Sequence, residues 1–158
     1  MSTHSVKACV AVGANLGNAL ATVQKAVRDL QSLPEGRVLC ASSFYRTAPV
    51  DATGPDFINA VVLIETRLTA LTLLRMLQAL EIKAGRERPY VNAPRTLDLD
   101  VIFYGDCQMN TPELILPHPR WQERAFVLVP LAEVCPERVS SALLARVQSQ
   151  TIERLEEG

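Results

Sequence analysis

Two aspartates, Asp98 and Asp100, stand one residue apart in the segment PRTLDLDVIFYG at positions 94–105, with Arg86, Arg88 and Arg95 just upstream. Paired carboxylates beside guanidinium groups are suited to handling a metal-bound phosphate. Mg2+ takes oxygen ligands, often one or two protein carboxylates, and completes its shell with water and phosphate oxygens; the planar fork of arginine matches phosphate geometry. Leu97, Leu99, Val101 and Phe103 alternate with Asp98, Asp100, Ile102 and Tyr104, the period of a strand, so both aspartates point to one face and the first set to the other. Their Cα atoms then lie about 6.6 Å apart, within reach of one cation or a pair. The alternative is a face open to water, where two carboxylates cost little. Against it, aspartate is disfavoured in strands and Ile102 and Tyr104 share the face. Like charges so placed repel unless something positive intervenes.

Other chemistries lack their signatures. The turn GANLGN at positions 13–18 matches neither the P-loop nor the dinucleotide fingerprint, and reads as a strand-to-helix connection with Asn18 as N-cap. There is no nucleophile elbow or protein-kinase signature, and neither His4 nor His118 sits in a hydrolase or metalloprotease motif. Pro117 and Pro119 flank His118 and could hold its imidazole toward an anion; a purely structural role fits it equally. Cys9, Cys40, Cys107 and Cys135 lie far apart, which suits reduced cysteines rather than a zinc or redox motif.

The elements that must position the aspartates follow from apolar periodicity. Val6–Val12 reads as a strand, and Leu20, Val23, Val27 and Leu30 recur at helical spacing until Pro34 and Gly36. Val38–Tyr45 predicts a second strand, residues 46–56 a long loop, and Phe57–Thr66 a third strand. Leu73, Leu74, Leu77 and Leu80 mark a helix ending near Gly85, a charged loop follows, and Leu97–Tyr104 is the fourth strand. The order β-α-β-β-α-β predicts an α+β fold: a ferredoxin-like βαββαβ core, a mainly antiparallel sheet with helices on one face, and strands one and four as central neighbours. Met109–Leu116 could add edge strand, Arg120–Glu133 reads as helix interrupted at Pro130, and Ser140–Glu157 reads as a terminal helix. At 158 residues, 48% apolar and 21% charged, the chain reads as one domain, 1–158, large enough for a core of its own.

Taken together and in order, PRTLDLD, the upstream GRER, the downstream PHP, and the segments YRTAP and DFIN resemble the 6-hydroxymethyl-7,8-dihydropterin pyrophosphokinases of folate biosynthesis. RTLDLD is the specific part. The resemblance implies transfer of diphosphate from ATP to the pterin's hydroxymethyl oxygen, leaving AMP, on a monomeric scaffold with two Mg2+ ions. It implies Asp98 and Asp100 as metal ligands, with Arg86 and Arg95 contacting phosphates as further catalytic residues. It places Gln78, Glu81, Arg88, His118 and Arg124 at the ATP, and Thr47, Val50, Phe57, Asn59 and Phe126 at the pterin. An Asn amide offers both a donor and an acceptor to a ring edge, and flat aromatic faces stack on a fused heterocycle. The family often carries a tryptophan shortly before the Pro-Arg-Thr segment, where this chain has Asn92. Asp100 is the candidate if a general base is needed.

A formal charge of −1 with no long basic run gives little support to a nucleic-acid partner. No apolar run reaches the ~20 residues of a membrane span, and the N-terminus lacks a signal-peptide pattern, so a cytoplasmic protein acting on small molecules is expected. Two rivals stand beside the pyrophosphokinase: a non-catalytic ferredoxin-like module that binds a small ligand, since fold alone does not decide function, and an enzyme of ordinary phosphoryl transfer to another small alcohol.

Overall fold

A computed structural model describes residues 4–49, 54–86 and 97–156. Strand β1 (Val6–Ala14) pairs antiparallel with β4 (Phe57–Thr66) on one side and β5 (Asp98–Tyr104) on the other. Strands β2 (Gly36–Ala41) and β3 (Tyr45–Thr47) both pair antiparallel with β4, and β8 (Ile152–Arg154) pairs with β3. The sheet therefore runs β5-β1-β4-β3-β8, with β2 also on β4. The expected ferredoxin-like antiparallel sheet is present. Strands one and four of the core are neighbours as expected, but β1 and β4 hold the centre and β5 stands last in the order.

Helix α1 (Ala19–Leu30) begins at Asn18, whose side chain accepts from the Ala21 N–H at 3.1 Å, after Gly17 has turned the chain at φ +60°. Helix α2 (Ala70–Arg86) runs one residue past Gly85. Val23 and Leu30 of α1 and Leu73 and Leu77 of α2 are buried against Val10, Val12, Val62, Leu99 and Val101, each leucine contributing about 1.5–3 kcal/mol by leaving water.

Helices do not keep to one face. Helix α3 (Ala125–Val134) lies on the opposite side, where Val127 and Leu131 pack on Cys9, Val61, Leu63, Ile102 and Phe103. Pro130 lies inside α3 rather than ending it; the buried Leu128, Pro130 and Leu131 show that packing outweighs the missing N–H.

Phe103 departs from the alternation expected of β5. The register against β1 shifts between Cys9, opposite Phe103, and Val10, opposite Val101, leaving Ile102 as the extra residue. A bulge of this kind re-aims the side chains beyond it. Phe103 therefore joins Ile102 beneath α3, and Tyr104 packs on the α1/α2 side with its hydroxyl donating to the Leu68 carbonyl at 2.6 Å.

The second predicted strand is split. Ser42 donates its N–H to the Val61 carbonyl and accepts the Val61 N–H at Oγ, so its side chain replaces a ladder bond between β2 and β3. Arg46 and Thr47 belong to β3, not to a loop. The region from Met109 to Leu116 forms a separate two-stranded ladder, β6 (Met109–Asn110) with β7 (Ile115–Leu116). The expected terminal helix is reduced to α4 (Ser141–Arg146), followed by β8, because the backbone of β3 offers Ile152–Arg154 an unpaired edge.

Candidate active site

The site follows from what α3 leaves uncovered. Cross-strand partners in a sheet point the same way, and on the α3 side two rows cross β5, β1 and β4: Asp98–Gly13–Asn59 and Asp100–Ala11–Val61. Helix α3 lies over the neighbouring Cys9, Leu63, Ile102 and Phe103. Beyond it the smallness of Gly13 and Ala11 leaves a cleft of about 520 Å³, floored by β1, β4 and β5 and walled by Arg120, Glu123, Arg124 and Phe126.

One end of the cleft is acidic. Asp98 and Asp100 line it and both are exposed. Between them the Leu99 N–H donates to Glu81 Oε2 at 2.7 Å, so α2 holds the outer edge of β5. Among the described residues no group of three or more His, Cys, Asp or Glu side chains could hold a metal. Two accessible carboxylates fit Mg2+, which leaves most of its shell to water and phosphate, and do not fit a closed structural zinc site.

The other end carries an amide and two aromatic rings. Asn59 is buried and its Nδ2 donates to Thr47 Oγ1 at 2.7 Å, while Phe57 and Phe126 line the same cavity. A Cβ on Gly13 would stand 2.9 Å from Asn59 Oδ1. The glycine thus makes room for the amide.

Positive charge comes from the connection before α3. The Arg124 guanidinium carbon sits 5.3 Å from the Phe126 ring centroid, a cation–π distance. Burial and the neighbouring Arg120 lower the Arg124 pKa against the opposing pull of Asp100 and Glu123. His118 donates its backbone N–H to the Ile102 carbonyl at 2.8 Å, and its Nδ1 accepts the Arg120 N–H at 3.1 Å. With Nδ1 an acceptor, Nε2 is the ring's donor. Burial holds its pKa below the ordinary 6.5, opposed by Asp100 and helped by Arg124 and Arg120.

A family model described as 7,8-dihydro-6-hydroxymethylpterin-pyrophosphokinase (HPPK) matches residues 9–136. The chain belongs to the HPPK family. It is 40% identical over 153 residues to the 2-amino-4-hydroxy-6-hydroxymethyldihydropteridine pyrophosphokinase of Pseudomonas aeruginosa, covering 92% of this chain and 94% of that one. The protein of the same name from Methylorubrum extorquens is 40% identical over 156 residues, covering 95% and 99%. Among solved structures, wild-type HPPK-DHPS of Plasmodium falciparum superposes with a TM-score of 0.70 at 14% identity, covering 95% of this chain. This chain spans 44% of that longer one, so the likeness concerns the fold. Membership in the HPPK family disfavours the non-catalytic ligand-binding module.

Of the residues that the HPPK resemblance singles out, the structure brings Thr47, Phe57, Asn59, Asp98, Asp100, Arg124 and Phe126 to one cleft. Gln78 is exposed on α2 one turn before Glu81. His118 is half-buried and does not line the cleft, though it feels the charge of Asp100. Val50, Arg88, Asn92 and Arg95 lie outside the described residues, as does the side chain of Arg86 at the end of α2. Sequence reasoning missed Ala11, Gly13, Arg120 and Glu123. Gly13 had a signal, a glycine closing a strand; the others carry none without the fold.

Proposed function

We propose that the chain transfers the terminal diphosphate of ATP to the hydroxymethyl oxygen of 6-hydroxymethyl-7,8-dihydropterin, releasing AMP and the pterin diphosphate. HPPK membership makes it a pyrophosphokinase. What supports the division of the cleft into a phosphate side and a ring side is the row Asp98–Gly13–Asn59, which sets a carboxylate and a buried amide at its two ends.

In this reading the pterin lies between Phe57 and Phe126, with its polar edge turned to Asn59 and Thr47. Stacking excludes water from the ring, and the bond from Asn59 to Thr47 holds the amide in one orientation. The hydroxymethyl group then points along the floor over Gly13 toward Asp98 and Asp100. Those carboxylates would hold Mg2+, two ions in the family's pattern, which supplies neutralisation of phosphate charge and lowers the hydroxyl pKa when bound. Arg124 and Arg120 attract the triphosphate from the opposite wall, and neutral His118 offers Nε2–H as a donor. Arg86, Arg88 and Arg95, which precede β5 in the chain, would add charge, and Gln78 and Glu81 would border the nucleotide.

The pterin oxygen attacks the β-phosphorus in line, the bond from that phosphorus to the α,β-bridging oxygen breaks, and AMP leaves with the electron pair. The hydroxyl proton passes to water. Positioning and charge neutralisation account for most of the acceleration. We take the unit to be one domain, monomeric and cytoplasmic. Among the described residues no helix is long and apolar enough to cross a membrane.

Nucleotide analysis after incubation with ATP, Mg2+ and hydroxymethyl-dihydropterin tests the reaction. AMP formed in equal amount to pterin diphosphate supports it. ADP would place the enzyme among ordinary phosphoryl transferases, and unconsumed ATP would reject transfer to this pterin.

A further inference from the structure

Helix α3 begins without a side-chain cap of its own: its N-cap residue, Arg124, makes no capping bond. The cap comes from the C-terminal segment. Gln150 Oε1 accepts the N–H of Ala125 at 2.9 Å, and Gln150 Nε2 donates to the carbonyl of Glu123 at 2.8 Å. One amide therefore bonds the peptide groups on both sides of Arg124, using its donor and its acceptor together. The first N–H of α3 and the last carbonyl of the 3-10 turn before it are satisfied at once.

Gln150 is itself anchored. Its backbone N–H donates to the carbonyl of Val147, which is buried beneath α3 beside Ala125 and Leu128. Two residues later the chain enters β8, where Ile152 pairs with Thr47 of β3. The segment from 147 to 154 thus ties the wall carrying Arg124 and Phe126 to the strand carrying Thr47, the partner of Asn59. It also lies beyond residues 9–136, the part that matches the family. A second cavity of about 220 Å³, lined by Thr47, Phe126, Gln150 and Thr151 among others, lies along this junction.

We propose that Gln150 is a positioning residue for the transfer reaction: by clamping Glu123 and Ala125 it sets the angle at which Arg124 enters the cleft. The inference rests on the assignment of Arg124 to the nucleotide phosphates. A side chain on an uncapped helix start has backbone freedom that a twice-bonded one lacks, and small misplacements of a phosphate-binding group are costly in rate.

Gln150→Met tests this, since it keeps the length and bulk of the side chain and removes both hydrogen bonds. Steady-state kinetics would be measured for Gln150→Met, Arg124→Ala and the double variant, below the melting temperature of each. The expected result is a fall in kcat/KM for ATP on the order of tenfold in Gln150→Met, with the double variant no slower than Arg124→Ala alone, because a misaimed arginine and an absent one lose the same interaction. Native kinetics in Gln150→Met, or losses that multiply in the double variant, would overturn the positioning role. Native kinetics in Arg124→Ala would remove Arg124 from the nucleotide site, and the role of Gln150 with it.

Discussion

Asn59 and Asp98 sit in one row of the sheet, each paired directly with Gly13 from opposite sides. Two strand spacings separate them, about 10 Å between Cα atoms. That span fits a hydroxymethyl group bound by its ring at one end and attacked phosphate at the other. No side chain stands between, because the middle residue has none. The row depends on the pairing register: a shift of β1 by one residue would place Val12 between the two groups and turn Gly13 to the helix side.

Gly13→Ala is expected to damage the pterin end selectively. The new Cβ would lie 2.9 Å from Asn59 Oδ1, and since that atom ends a side chain, Asn59 moves rather than the sheet. A loss of about 1 kcal/mol of stability is expected, with KM for the pterin rising on the order of tenfold and KM for ATP little changed. Thermal melts and a two-substrate kinetic matrix check both parts; equal changes in the two KM values would count against the assignment.

Glu81→Ala should loosen the aspartate strand. Its carboxylate accepts the Leu99 N–H at 2.7 Å, and removing a charged acceptor from a backbone donor costs about 1–2 kcal/mol. Glu81→Gln keeps an oxygen acceptor and is expected to retain more than half of the lost stability. Urea unfolding of the two variants distinguishes a backbone-holding role, in which Gln rescues, from a purely nucleotide-facing one, in which both melt like the parent.

His118 should titrate below its ordinary 6.5 in the metal-free protein. Burial is the first cause, Arg124 and Arg120 add to it, and Asp100 opposes it. Asp100→Asn removes the opposing charge, so the midpoint is expected to fall further. The folded pKa is the lowered one, so the unfolded chain binds the extra proton first. The stability this group contributes is complete above pH 6.5 and is lost as pH falls from there through the folded pKa. NMR titration of the ring protons measures the midpoint in both proteins; an upward move in Asp100→Asn would contradict the placement.

Much of this site was legible in the chain. The parity of Asp98 and Asp100 follows from period-two alternation alone, and Asn59 stood out as an amide in an apolar strand. Parity failed three residues on, at Phe103, because the bulge at Ile102 depends on how β1 pairs and not on the local pattern. The position of α3 was hidden for a related reason: Ala125–Val134 is apolar around most of its circumference, so no stripe announces which sheet face it covers. The C-terminal residues read as helix because their spacing allows it, whereas Ile152–Arg154 forms a strand only because β3 offers its edge. Arg120 and Gln150 are ordinary polar residues until the fold sets them beside the cleft and its wall.

The division of labour proposed for the cleft gives Asp98 and Asp100 to the nucleotide and Asn59 to the pterin. Calorimetry with a nonhydrolysable ATP analogue, with and without Mg2+, tests it most directly in the parent protein and the Asp98→Asn/Asp100→Asn variant. Mg2+ is expected to strengthen analogue binding in the parent and not in the variant, while both bind the pterin alone equally well. A variant whose analogue binding still rises with Mg2+ as in the parent would contradict it.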